Sequence, residues 1–240
     1  MRVAVLSDIH ANLPALNAVL EALAPFDAVW QLGDVVGYGP QPDEVVTRLR
    51  EVGATGVRGN HDAAAIGELS TDTFNDEARA AVEWTAERIS PSTRAWLEAL
   101  PDRTSEADFT LVHGSPRDPV WEYIASPSVA RANLVHLDTR HCLVGHTHIP
   151  LVFRRDGERV ETITPLDGEP FVFDGRSVIL NPGSVGQPRD GDPRACGVLI
   201  DTASGEVAWH RVVYPVAEVQ ALMESVGLPQ RLVERLAYGW

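Results

Sequence analysis

At 240 residues the chain has room for one large α/β domain or two small ones, and for a sizeable buried core. Acidic residues outnumber basic ones, 34 against 20, for a formal net charge of −14 with no basic run, which argues against general binding to nucleic acid or to an anionic membrane. No run approaches the ~18–20 apolar residues of a membrane span, and the first residues enter a strand with no apolar leader before them, so the expectation is a soluble, cytoplasmic protein.

Residues 2–6 form an apolar run that predicts a buried strand, followed by Asp8 and His10 two positions apart. If that turn stays extended, both side chains fall on one side. Asn12 predicts a helix N-cap, with Pro14 in the first turn and Leu13, Leu16, Val19, Leu20 and Leu23 repeating at helical spacing until about Pro25. A second strand is expected at residues 28–32, ending at Gly33-Asp34. A glycine-proline loop and a helix at residues 43–51 follow. Residues 54–58 then run into Gly59-Asn60-His61-Asp62, a turn presenting an amide oxygen, an imidazole and a carboxylate in a row. Strand–helix–strand repeated in this way predicts parallel pairing with right-handed crossovers.

Residues 63–100 are alanine-rich and helical in period. Ser90-Pro91 is expected to split them into helices at 76–89 and 92–99, with Trp84 and Trp96 in the core. A strand at Phe109–Val112 leads to His113-Gly114 and a turn-rich loop, where Arg117, Trp121, Glu122 and Tyr123 form a substrate rim or else a solvated loop with its aromatics folded back on the core. A helix at residues 129–137 and a strand at 140–144 lead to Gly145-His146-Thr147-His148. The remainder is strand-rich, with hairpins about Asp156-Gly157 and Ala203-Ser204-Gly205, and helices close the chain at 217–225 and 229–236. Cys142 and Cys196 lie within apolar runs and read as buried reduced thiols. With no linker, repeat or low-complexity segment, residues 1–240 are expected to be a single domain.

Five apolar runs therefore end in turns that carry Asp8, His10, Asp34, Asn60, His113, His146 and His148. Strand ends in an open α/β sheet converge on one crevice. A mixed set of carboxylate, imidazole and amide donors suits divalent first-row metals. His136, His141 and His210 belong to no such turn and read as ordinary surface or core histidines. The loop 181–190 offers glycine amides and Arg189 to a phosphate, or is a tight turn joining two strands.

The ordered set Asp8-x-His10, Gly33-Asp34, Gly59-Asn60-His61-Asp62, His113-Gly114 and Gly145-His146-Thr147-His148 resembles the calcineurin-like metallophosphoesterases, over most of the chain to about Asp201. The resemblance implies a four-layer αββα sandwich of two mixed β-sheets flanked by helices, with two divalent metal ions at their shared edge. It assigns Asp8, His10, Asp34 and His148 to one ion and Asp34, Asn60, His113 and His146 to the other, with Asp34 bridging by giving one oxygen to each. It implies a hydroxide between the metals attacking phosphorus in line, His61 assisting the leaving group and Asp62 orienting the His61 imidazole. Mn and Fe rank first by resemblance, and the donors also accept Zn, Co and Ni.

Protein phosphatases of that superfamily read Gly-Asp-x-x-Asp-Arg-Gly at the second motif, with the Arg holding phosphate. Here Gly33-Asp34-Val35-Val36-Gly37-Tyr38-Gly39 lacks the Asp-Arg pair. The chain looks more like the compact bacterial and archaeal phosphodiesterases, with Arg117 and Arg189 as expected contacts to a small phosphoester. A phosphomonoesterase of the same fold is one alternative. A protein-binding scaffold, as in a retromer subunit lacking the full catalytic set, is another, and the complete donor set with His61 weighs against it. The aromatic end Ala237-Tyr238-Gly239-Trp240 is an expected surface for a partner or for homo-oligomer formation.

Overall fold

A computed structural model describes residues 1–240. The first half runs β1 (Arg2–Leu6), α1 (Leu13–Leu23), β2 (Ala28–Leu32), α2 (Pro42–Glu51), β3 (Thr55–Val57), α3 (Asn60–Ala65), α4 (Asp76–Ala86) and α5 (Pro91–Glu98). It continues β4 (Arg103–Glu106), β5 (Phe109–Val112), α6 (Pro127–Asn133), a 3₁₀ turn at Leu134–His136, β6 (His141–Leu143), β7 (Leu151–Asp156) and β8 (Arg159–Ile163). The chain ends with β9 (Pro170–Val172), β10 (Val178–Asn181), β11 (Ala195–Asp201), β12 (Glu206–Val212), α7 (Val216–Ser225) and α8 (Gln230–Arg235).

Burial explains why the central strands read as continuous apolar runs. In β1, Val3 and Val5 face one core while Ala4 and Leu6 face another. In β10, Val178 and Leu180 share the first of these cores, and Ile179 points into a third. A strand covered on both faces has no solvent side to mark with polar residues. Each sheet has six strands, in the orders β3-β2-β1-β11-β12-β9 and β4-β5-β6-β10-β7-β8. Val5, Trp30, Leu111, Leu143, Val198 and Trp209 fill the gap between the sheets. Helices α1–α5, α7 and α8 cover the outer face of the first sheet, and α6 covers the second. The layers are therefore helix, sheet, sheet, helix, as the resemblance implies. No helix is long and apolar enough to cross a membrane.

Both sheets are mixed. Strands β1, β2 and β3 are parallel, as are β5, β6 and β10; the rest pair antiparallel. The parallel strands deliver their C-terminal ends to one edge of the sandwich, and this is what positions the site.

Four details differ from the sequence reading. Asn60, His61 and Asp62 do not lie in an open turn; they are the first turn of α3, with Gly59 as its N-cap. The first helix of the alanine-rich stretch starts at Asp76 as expected but ends at Ala86 and not at residue 89, and the Ser90 hydroxyl caps α5 by accepting the Thr93 N–H. Strand β4 has the sequence RTSE and lies at a sheet edge, where one face is wet and no apolar run is required. Trp84 and Trp96 are half-buried against the helical core and not inside it. The Trp84 indole reaches across to donate to the Val226 carbonyl at 3.2 Å. Cys142 and Cys196 are buried free thiols.

Candidate metal centre

The turns after β1, β2 and β6 depart from ordinary backbone geometry. Asp8, His10, Asp34, His146 and His148 all take the left-handed conformation, with φ between 47° and 66°. Non-glycine residues rarely adopt it, at a cost of order 1 kcal/mol each. Here it aims five polar side chains into one space. The close approach of the Asp34 and Asn60 turns also requires glycine at position 59: a Cβ there would lie 2.1 Å from Asp34 Oδ1.

The result is two overlapping groups of donors. Asp8, His10, Asp34 and His148 bring one atom each within 4.8 Å of one another, and Asp34, His113 and His146 do the same. Asn60 joins the second group, with Oδ1 3.1 Å from His113 Nε2. All seven residues are at most 4% exposed. Polar groups this deep are costly unless each finds a partner.

The imidazole tautomers decide what that partner is. His10 Nδ1 donates to the Val36 carbonyl at 3.2 Å, His113 Nδ1 to Leu32 at 2.8 Å, and His148 Nδ1 to Gln187 at 2.6 Å. In His10 and His148, which burial keeps neutral, a proton so placed leaves Nε2 as a bare lone pair, the orientation typical of histidines that hold a metal. Two bare lone pairs, His10 Nε2 and His148 Nε2, then face each other at 3.2 Å. Neutral rings in those tautomers would repel there; a cation between them removes the conflict. The residues fit a metal on this ground, with oxygen and imidazole donors in a mixed set.

Asp34 stands between the two donor groups. Its Oδ1 accepts the His61 backbone N–H at 2.9 Å. Its Oδ2 lies 3.6 Å from His10 Nε2 and 3.4 Å from His113 Nε2. One Asp34 oxygen therefore faces both sets. Asp8 Oδ1 lies 3.3 Å from His148 Nε2, and His113 Nε2 lies 3.0 Å from His146 Nδ1.

Burial dominates the electrostatics. It pushes Asp8 up to about 7 and lowers His10, His146 and His148 well below the usual imidazole range. For Asp34 burial acts to raise the carboxyl, but the charge and hydrogen bond of His113 together with His61 and His10 outweigh it and hold Asp34 well below its usual range. For His113 burial acts to lower the ring, and the Asp34 charge and hydrogen bond reverse this to about 9. The field of Asp34 thus concentrates positive charge at the point where the two donor groups meet.

His61 is buried beside the cluster and lowered to about 4 by that burial, partly offset by Asp34. Its ring packs 4.3 Å from Tyr38 and 5.0 Å from Phe74, centroid to centroid. Its Nδ1 has no hydrogen-bond partner. Asp62 does not orient it, contrary to the expectation. Successive helix positions point about 100° apart, and Asp62 turns back to accept from the Gly59 N–H at 2.9 Å and the Val36 N–H at 3.0 Å. Gly37 leaves room for the His61 ring, since a Cβ there would lie 2.5 Å from His61 Nδ1. That is where the Asp of the phosphatase motif would stand.

A cavity of about 90 Å³ opens over the cluster, lined by Asp34, Asn60, His61, His146, His148, Arg189 and the aromatic rings of Tyr38, Phe74, Trp121 and Tyr123. Arg189 donates to Gln187 Oε1 at 2.9 Å and keeps a buried Nε without a partner, so it stands where the sequence places it, at the rim of the site. Arg117 does not. Its guanidinium forks onto the Glu122 carboxylate of its own loop, with Nε at 2.8 Å from Oε2, and lines no part of the cavity. Sequence reasoning placed Trp121 and Tyr123 at the rim and missed Tyr38 and Phe74. Tyr38 replaces the motif arginine, which is the signal that was available for it.

Residues 1–205 match the calcineurin-like phosphoesterase superfamily domain. An uncharacterized protein of Methanocaldococcus jannaschii is 34% identical over 244 aligned residues, covering 99% of this chain and 98% of that protein. Phosphodiesterase YfcE of Escherichia coli is 31% identical over 212 residues, 83% of this chain and 87% of that one. Among solved structures, a metallophosphoesterase from Sphaerobacter thermophilus has a TM-score of 0.92 at 47% identity, covering 100% of this chain and 99% of that chain. A hypothetical protein from Pyrococcus horikoshii shares the fold, with a TM-score of 0.83 at 23% identity over 100% of this chain and 98% of that one. Fold, ordered turns and donor geometry converge with these likenesses: the chain belongs to the calcineurin-like phosphoesterase superfamily, and it is a phosphoesterase of a metal-dependent family.

Proposed function

We propose that the protein is a phosphodiesterase acting on a small phosphoester with two divalent cations per chain. The carrying observation is Asp34 Oδ2, one carboxylate oxygen facing His10 Nε2 and His113 Nε2 from two donor groups. Asp8, His10, Asp34 and His148 would hold one cation, and Asp34, Asn60, His113 and His146 the other. When bound, the pair supplies Lewis-acid charge to a phosphoryl group and makes a water easier to ionise. The chain's own residues do the rest. Arg189, the one cation lining the cavity outside the donor groups, takes a non-bridging phosphoryl oxygen. His61 donates a hydrogen bond to the leaving oxygen. Asp62 holds the backbone of both turns and takes no part at the reacting atoms. Mn and Fe are the preferred cations on resemblance, and the nitrogen-rich donors also suit Zn, Co and Ni.

All 240 residues are taken as one domain, because Val219, Met223, Leu232 and Val233 of the last two helices join the core under the first sheet. A cytoplasmic site of action is in keeping with two buried free thiols. The diester preference rests on the YfcE likeness and on the absence of the Asp-Arg pair of the phosphatase motif. The test is hydrolysis of bis-p-nitrophenyl phosphate beside p-nitrophenyl phosphate, after EDTA treatment and again with Mn²⁺ restored. Mn²⁺-dependent cleavage of the diester above the monoester is expected. Monoester preference would make the protein a phosphatase, and turnover indifferent to EDTA would remove the metal from the reading.

A further inference from the structure

Three aromatic rings of the molecule stand open to solvent: Tyr123, Tyr238 and Trp240. Tyr238 and Trp240 stack on each other, centroids 4.8 Å apart. Tyr123 alone borders the cavity over the His and Asp cluster. One face of its ring is covered by the His146 imidazole, with centroids 3.8 Å apart and planes 19° from parallel. At 49% exposure its other face is left to water. A large apolar ring held flat at the mouth of a site is costly to leave wet and already ordered for binding.

The cavity limits what lies beside it. Asp34, Asn60, His146 and His148 line it, and a phosphoryl group held against them leaves the rest of the ester to the rim. A larger ester substituent must emerge past the rim, where Tyr123 and Trp121 stand. Outside the donor groups that rim carries a single charge, Arg189, which the phosphate claims. The substituent is therefore met by π surface and not by charge.

Resting on the phosphodiesterase reading, we propose that Tyr123 is a stacking platform for a nucleobase and that the substrate is a nucleoside phosphodiester. The base lies on the outer face of Tyr123 while the phosphate sits in the cavity. Stacking on an aromatic side chain tolerates any base, because every base has a π face. The site then selects nucleosides over alkyl groups without selecting among bases.

The test compares two diesters with the same leaving group, the p-nitrophenyl ester of thymidine 5′-phosphate and methyl p-nitrophenyl phosphate, on the Mn²⁺-loaded protein. Tyr123→Ala lowers the ratio of their kcat/KM values, nucleoside over methyl, by about tenfold, and Tyr123→Phe keeps it. Equal losses on both substrates would reduce Tyr123 to a support for His146 and overturn the proposal. If the wild type turns over neither diester, the phosphodiesterase reading fails separately, and calorimetric binding of thymidine 5′-monophosphate decides the platform. An affinity about tenfold weaker in Tyr123→Ala supports it, and an unchanged affinity overturns it.

Discussion

Asp34 carries more of the site than any other side chain. One carboxylate oxygen is fixed by the His61 N–H, which leaves the other as a single shared atom between two imidazoles. Asn at this position would keep the size and lose the charge that lifts His113. Asp34→Asn is therefore expected to weaken both cations, each by about 100-fold or more, since even partners one shell further out are worth 10–100-fold. Metal titration followed by mass spectrometry reads this directly; one cation lost and the other held at wild-type affinity would deny the sharing. His61 makes the opposite case. It touches the cluster through its backbone, and its ring nitrogens hold no carboxylate or imidazole of the donor groups within hydrogen-bond distance. His61→Ala should keep two cations per chain while diester turnover falls by about two orders of magnitude. Loss of metal together with turnover would move His61 into the donor set.

Elements explain which parts of this were legible. The parallel strands were, because burial on both faces writes them as apolar runs, and their polar ends marked the seven side chains that the fold brings together. Strand β4 was hidden by its wet edge, and the start of α3 by a helix of only six residues whose first turn is the polar Asn60-His61-Asp62. Adjacency misled for Asp62: neighbours in sequence diverge once they stand on a helix. Arg117 was misplaced for a related reason, its partner lying five residues on in the same loop. That loop is held by Glu122, which accepts from Ser115 Oγ at 2.7 Å, from Asn133 Nδ2 at 2.7 Å and from the Arg117 fork. The Arg117 hydrogen bonds, working against slight burial and helped by Asn133 and Ser115, depress the Glu122 carboxyl to about 2 from an ordinary 4.5. A depressed carboxyl stabilises the fold above its ordinary pKa and loses that contribution as pH falls through the folded value. Glu122→Gln should cost about 2 kcal/mol at neutral pH, after allowance for solvent screening of the half-exposed Arg117. Urea unfolding should show the gap between variant and wild type shrinking by about half near pH 3. A gap that does not change with pH would mean that the ion pair contributes nothing and only packing was lost.

Across the whole molecule, the two sheets and their helices hold seven polar side chains at the sandwich edge with at most 4% exposure, five of them on left-handed backbone. The cores between the layers must stabilise this arrangement, because the donors repel or strain one another without a cation. Cation binding therefore belongs to the stability of the fold as well as to the chemistry. A ligand that binds only the folded state adds RT ln(1 + [L]/Kd), about 2.7 kcal/mol for each site at a hundredfold excess over Kd. For a chain of this length 1 kcal/mol moves the melting temperature by about 2–4 °C. Two saturated sites should then raise it by about 10 °C or more over EDTA-treated protein, and the increment should grow with Mn²⁺ concentration. In Asp34→Asn most of that increment should vanish, and the melting temperature in EDTA should fall as well, because the buried carboxylate paired with His113 has been removed. Calorimetry of both proteins across a Mn²⁺ series separates the terms. An EDTA-treated wild type that melts where the loaded protein does would show that the sandwich alone tolerates the cluster, and would uncouple metal binding from the fold.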